Sequence, residues 1–211
     1  MEFTEGIYLI NKPRGRSSFS IVAQVRRLSG IKKVGHAGTL DPEAEGLLIV
    51  MVGKDFTKKS DSYLKLDKSY EFEVKFGETS TTGDEQGEKL KVGGSKPTTD
   101  QIELALGDFF GEIEQMPPQY SAIKVNGVRA YKLARDGKVA DIKARKVVID
   151  DIVLLDYKYP FARFATDVSS GTYIRSLAED IGKSLGTGAY CTQIVRTRIG
   201  DNHIEEAITL D

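Results

Sequence analysis

The run Leu47 to Val52, LLIVMV between Gly46 and Gly53, carries no polar side chain to turn toward water. It is short for a helix and rich in branched residues, which suits a strand buried on both faces. Such a strand needs covering on each side, and the neighbouring segments supply it. "GIYLI" (6–10) reads as a short buried strand, and "SYEFEVKFG" (69–77) alternates like a strand with one wet face. "KVVIDDIVLLDYKY" and "RFATDVSS" read as two more strands, and "AYCTQIVRTRIG" as the last. Residues 17–30 form a predicted helix that Ser17 or Ser18 caps and Gly30 ends, with Ile21, Val22, Val25 and Leu28 on one face. A second helix starts near Thr98 with Gln101 as capping-box partner and Ile102, Ala105, Leu106 and Phe109 on one side. In "GTYIRSLAEDIGKSLGTG" a third directs Ile174, Leu177, Ala178, Ile181 and Leu185 inward. Residues 77–97 read as an exposed loop, and Asn126-Gly127 as a tight turn. Strands and helices mix without strict alternation. The predicted class is therefore α+β, a mixed and predominantly antiparallel central sheet flanked by helices.

A chain of 211 residues with 40% hydrophobic content supports one well-buried core, so residues 1–211 are expected to form a single domain. No apolar run approaches the roughly 20 residues a membrane helix requires, and the start "MEFTEGIYLI" lacks the pattern of a secretory signal. A lone Cys191 excludes an internal disulfide and, with two distant histidines, offers no zinc cluster. These features predict a cytoplasmic protein without a metal. The net charge of -1 conceals segregation along the chain. Residues 1–40 hold seven Lys/Arg against two acids, and residues 117–146 eight against two; residues 78–114 hold three against nine acids. A basic face opposite an acidic back suits a polyanion bound in one orientation.

Ahead of the apolar run stands "GHAGTLDPEAEG" (35–46), with glycine at 35, 38 and 46 and Asp41 followed by proline. Asp-Pro-Glu is a good helix start, with Asp at the cap and Pro at the first helical position. Against that reading, Gly46 follows within a few residues, and the glycines exceed what a cap needs. Glycine serves where backbone takes positive φ or passes close to another group. Proline restricts the preceding residue, so the Asp41 carboxylate is held in one direction.

"GHAGTLDPEAEGLL" resembles the catalytic motif of the TruB-type tRNA pseudouridine synthases. The resemblance continues, in the family's order, through "NKPRGRSS" (11–18), "KSYEFEVKFG" (68–77), "GETSTTGDEQG" (77–87), "PPQYSAIKVNGVRAYKLAR" (117–135) and "GTYIRSLAEDIG" (171–182). It implies an enzyme that isomerises a T-loop uridine of tRNA, position 55, to pseudouridine without cofactor or metal. By resemblance Asp41 is the catalytic carboxylate, acting as a nucleophile on the sugar or as a base at C2′. Arg175 is its charged neighbour and Tyr70 the active-site tyrosine that stacks on uracil. His36 fills the space of the flipped base, and Tyr173 and Ile194 complete the pocket wall. Lys12, Lys124, Arg129, Lys132 and Arg135 are the implied RNA contacts, with 129, 132 and 135 on one helical face of a clamping segment at about 117–146.

The resemblance also implies a monomer that meets RNA, most simply the tRNA T-arm, and neither a membrane nor a protein partner. No C-terminal PUA domain, present in many relatives, is expected within these residues. Glu45, Ser80 and Ile194-Val195-Arg196-Thr197 depart from the family pattern. Two rival readings keep the fold: a non-catalytic tRNA-binding or RNA-folding module, and a synthase for another RNA.

Overall fold

A computed structural model describes residues 2–210. The chain divides into two compact units, Met1–Glu71 with Gln193–Asp211, and Phe72–Thr192. Each has its own set of paired strands and packed helices.

In the first unit the apolar run is strand β3, and β1 (Gly6–Lys12), helix α1 (Ser18–Ser29) and β2 (Val34–Ala37) precede it in the chain. Strand β3 (Glu45–Val52) pairs antiparallel with β1 along its whole length, from Gly6↔Val52 to Lys12↔Gly46. β2 joins antiparallel at the far end of the strand, from Val34↔Val52 to Ala37↔Ile49. Alternation then sorts its side chains into two cores. Leu48, Val50 and Val52 pack with Ile10, Phe3 and the α1 residues Ile21, Val22 and Val25. Leu47, Ile49 and Met51 pack with Ala37 and Ile199, and against Phe56 and Tyr63 of the short helices α2 (Lys54–Thr57) and α3 (Ser60–Leu64). Burial of each such aliphatic side chain contributes about 1.5–3 kcal/mol, which explains why an uninterrupted apolar strand sits here.

The caps of α1 form as predicted: Ser17 Oγ accepts from Ser20 N–H, and Gly30 at φ 68° ends the helix. Leu28 departs from its expected inward place and is 46% exposed. The left-handed Gly30 returns the chain so that Ile31 packs on the cluster at that end instead.

Strand β4 (Lys68–Phe76) carries the chain from the first unit into the second, its residues alternating between buried and half-buried. The segment expected as a plain loop contains a hairpin, β5 (Glu78–Ser80) with β6 (Lys89–Lys91), because Ser80 is drawn inward and its hydroxyl bonds Asp84 O. Helix α4 (Thr99–Leu106) begins at the predicted capping box of Thr98 and Gln101. Ile102 and Leu106 are buried on its inner side, and Phe109 is buried in the 3-10 turn Gly107–Phe109 that follows. Strand β7 (Gly111–Gln115) pairs antiparallel with β10 (Arg145–Lys158), and β10 with β11 (Phe161–Val168). Between them come β8 (Lys124–Val125), β9 (Val128–Arg129) and helix α5 (Ala130–Arg135). The turn joining β8 to β9 is Asn126-Gly127, both at positive φ as a two-residue hairpin demands. Helix α6 (Ile174–Ser184) buries Ile174, Leu177, Ala178 and Ile181; Leu185 caps it and is half-buried. Phe72 and Phe164 stack at 5.2 Å in this core.

Strand β12 (Ala189–Ile199) returns the chain to the first unit, where it runs parallel to β3 at Val195↔Glu45 and Arg196↔Gly46. It is not the last strand: β13 (Asn202–His203) pairs back onto it, and β14 (Ile208–Thr209) lies parallel to β1. Parallel and antiparallel ladders coexist, with antiparallel ones prevailing, and helices flank them. The α+β expectation holds.

Candidate active site

The loop 38–44 joins β2 to β3, and a single arginine binds backbone on both sides of it. Arg196 is 1% exposed; its Nε donates to Leu47 O (2.8 Å) and its Nη2 to Gly38 O (3.0 Å). Gly46, at φ 103°, passes so near β12 that a Cβ there would lie 2.4 Å from Arg196 O. No other residue fits.

The middle of the loop rests on the segment 12–18. Ser18 Oγ donates to Leu40 O (3.0 Å) and accepts from Leu40 N–H (2.9 Å), gripping the residue before Asp41. Pro42 O, on the other side of Asp41, accepts from Gly15 N–H (2.8 Å) and Lys12 Nζ (3.2 Å). Lys12 also donates to Arg16 O (2.6 Å) and Pro13 O (2.9 Å). Resemblance points to Lys12 as an RNA contact, but the residue is 0% exposed and its ammonium is spent on three carbonyls. It is the floor of the loop rather than a face that RNA reaches.

Asp41 begins no helix. Ala44 N–H donates to Asp41 O (3.1 Å), closing a turn over Pro42 and Glu43, and β3 starts at Glu45. The cap alternative thus drops, and a half-buried carboxylate remains on backbone fixed before it by Ser18 and after it by Lys12 and Gly15. Burial pushes the Lys12 ammonium down to about 8, against the attraction of Glu45, Asp41 and Glu43. Lys68, bonded to Leu64 O and Leu66 O, is also pushed down to about 8 by burial and then by Arg196. His36 stands on β2 with Nδ1 buried and without a hydrogen-bond partner. Burial, then the nearby Arg196 charge, hold its imidazole below the usual histidine range, so the ring is neutral at pH 7. Tyr70 is buried on β4 and Ile194 half-buried on β12.

In the second unit Arg175 lies in the first turn of α6 and is 4% exposed, not a surface residue. Its Nη1 donates to Thr82 O (2.7 Å) and its Nη2 to Tyr120 O (2.8 Å), with Asp84 Oδ2 at 3.8 Å from Nη1. These partners offset a cation at a helix start. Burial raises the neighbouring Glu179 to about 7, with Arg175 opposing. Tyr173, at the N-cap, has its backbone clasped by the fully buried Gln115, which accepts from Tyr173 N–H (2.8 Å) and donates to Tyr173 O (3.1 Å).

Lys124, Arg129, Lys132 and Arg135 are all exposed. Arg129 does not share a helical face with the other two. It is the N-cap residue of α5, in extended conformation, because the β8–β9 hairpin runs straight into the helix. Behind them Ala130, Ala140 and Ile142 form a small core with Leu133, Ile123 and Val125. The sequence offers Ser18 only as a helix cap and Arg196 only as part of a departure from the family pattern, and gives no sign of Gln115. The one available signal was an arginine in a strand whose neighbours read as core.

Comparison with known proteins bears on the family and the fold. The family model described as TruB family pseudouridylate synthase (N terminal domain) matches residues 26–174. The tRNA pseudouridine synthase B of Protochlamydia amoebophila (strain UWE25) is 44% identical over 204 residues, covering 97% of this chain and 78% of that protein. That of Wolbachia pipientis subsp. Culex pipiens (strain wPip) is 43% identical over 205 residues, 96% of this chain and 58% of that protein. Among solved structures, a Cbf5-Nop10-Gar1 complex contains a chain superposing with TM-score 0.74 at 29% identity, over 97% of this chain and 52% of its own length. The chain thus spans about half of that structural relative. With a family model over most of its length and relatives above 40% identity, the chain belongs to the TruB family of pseudouridylate synthases.

Proposed function

We propose that the protein is an isomerase that converts a uridine of tRNA, in the T-arm loop, to pseudouridine. The reaction breaks the C1′–N1 glycosidic bond, turns the uracil, and joins C1′ to C5; N1 gains a proton and C5 loses one. Atoms and electrons balance within the substrate, so no redox partner enters.

The observation that carries the reading is Asp41 in a tight turn rather than a helix cap, on a loop anchored by Arg196, Ser18 and Lys12. A reacting carboxylate must be held to a fraction of an ångström, and rigid backbone does this without induced ordering. Asp41 acts on the sugar or at C2′. Arg175 is assigned to its charge balance and Tyr70 to stacking on the uracil. Extracting the base from its stack costs a few kcal/mol. His36, being neutral, fits the space beside a base without the cost of a desolvated charge. Tyr173 and Ile194 are assigned to the pocket wall. Lys124, Arg129, Lys132 and Arg135 are assigned to backbone phosphates, in keeping with their exposure and freedom from the small core behind them.

The test is conversion of a tritiated T-arm stem-loop, scored by release of the C5 label. Wild type is expected to release it. Asp41→Asn is expected to abolish release while keeping the melting temperature and RNA affinity. Appreciable turnover by Asp41→Asn removes the residue from the chemistry, and binding without conversion by wild type makes the protein a non-catalytic module.

A further inference from the structure

The second unit holds an arginine, at the end of the 117–146 segment, to which neither the resemblance nor the proposed chemistry assigns a contact of its own. Arg145 opens β10 opposite Gln115 of β7, and its guanidinium lies over the Tyr173 ring with Cζ 4.6 Å from the centroid. The platform under it is fixed, since the Gln115 amide clasps Tyr173 N–H and O together. Gly171, at φ 90°, lies alongside: a Cβ there would stand at contact distance, 3.4 Å, from Arg145 Cζ and Nη2. A cation this close to an aromatic face is held in plane, and only the edges of the guanidinium remain for hydrogen bonding.

Those edges are unspent. Arg145 Nε is buried and without a hydrogen-bond partner, and among the described residues no carboxylate pairs with the group. Buried donors in native proteins nearly always have acceptors, so an orphaned one marks a place for a water or a ligand. Its neighbourhood says which. Ser121 Oγ, also buried and unpartnered, follows Tyr120, whose carbonyl holds Arg175. Of the two orphaned donors of this unit among the described residues, Arg145 lies on Tyr173 itself, Ser121 follows the residue whose carbonyl Arg175 binds, and Arg145 brings the positive charge.

We propose that Arg145, stacked on Tyr173, is a phosphodiester receptor that seats the RNA backbone at this turn. The proposal rests on the RNA-modifying reading above. With its face occupied and Nε buried, the fork offers its Nη1–Nη2 edge, which matches two phosphate oxygens side by side, whereas a lysine offers only a point charge. The stack presents Tyr173 and the phosphate site as one rigid element.

The experiment measures equilibrium binding against salt, in an Asp41→Asn background that keeps the RNA unmodified. The probes are a T-arm stem-loop and an unstructured oligouridine. Arg145→Met is expected to weaken stem-loop binding and to flatten the log–log salt slope by about 0.7–0.9, one phosphate contact. Arg145→Lys is expected to restore the slope with incomplete recovery of affinity. A merely structural role would lower the melting temperature and leave the slope unchanged. An unchanged slope for Arg145→Met, or a wild-type protein that binds neither probe, overturns the proposal. Failure of the function itself looks different: wild type binds the stem-loop, Arg145→Met alters its slope, and no C5 label is released.

Discussion

Replacing Gly46 by alanine tests whether the carboxylate loop is held as described. Two costs combine at this position. The backbone is at φ 103°, where an L-residue is strained by about 1–3 kcal/mol. In addition, the new methyl would lie 2.4 Å from Arg196 O and 2.7 Å from Arg196 N, so β12 must move off β3 at the Arg196↔Gly46 step. Forcing atoms into packed space costs about 1–3 kcal/mol more. The sum is about 4 kcal/mol, which for a chain of this size lowers the melting temperature by about 8–16 °C. Gly15→Ala is the matched control: φ is 79°, but nothing lies within 4 Å of the added Cβ. It bears only the left-handed penalty, about 1–2 kcal/mol. Thermal unfolding of both variants at one pH, with uridine conversion measured well below the melting point, gives the comparison. Gly46→Ala should lose most of its activity, since Arg196 holds Gly38 and Leu47 from the displaced strand; Gly15→Ala should lose less of both. Equal melting temperatures for the two variants would show that close approach of β12 does not fix the loop.

Two further outcomes follow from buried cations. Lys12 and Lys68 bind protons more weakly folded, at about 8, than their ordinary 10.5, so the unfolded chain holds more protons between those values. Stability should therefore rise with pH across that window, by roughly 3 kcal/mol per lysine, and Lys68→Met should remove its share in denaturant melts; a flat wild-type profile contradicts the burial argument. His36 is depressed below 6.5, so stability should fall as pH drops through 6.5 toward its folded value. Arg196→Met should move the His36 titration upward in an NMR pH series, and an unmoved titration would uncouple the two residues.

Much of the fold could be read locally. The β3 run, the caps at Ser17, Gly30 and Thr98, and the Asn126-Gly127 turn each depend on residues within a few positions. Leu28 and the β5–β6 hairpin differ from expectation although Ile31 and Asp84 stand only three and four positions away, because which of two nearby side chains is drawn inward depends on the core they meet and not on their spacing.

The sequence by itself determined the mixed architecture, the family motif around Asp41 and the basic character of 117–146, because periodicity, turn chemistry and charge are properties of neighbouring residues. Only the tertiary structure decided that Asp41 sits in a turn, that Lys12 is floor and not surface, and that Arg196 closes the loop. Lys12 reaches Pro42 across 30 positions, Gln115 reaches Tyr173 across 58, and Arg196 reaches Gly38 across 158. Whether a lysine or arginine faces water or a buried carbonyl depends on which distant backbone folding brings to it, and no local pattern of residues encodes that meeting.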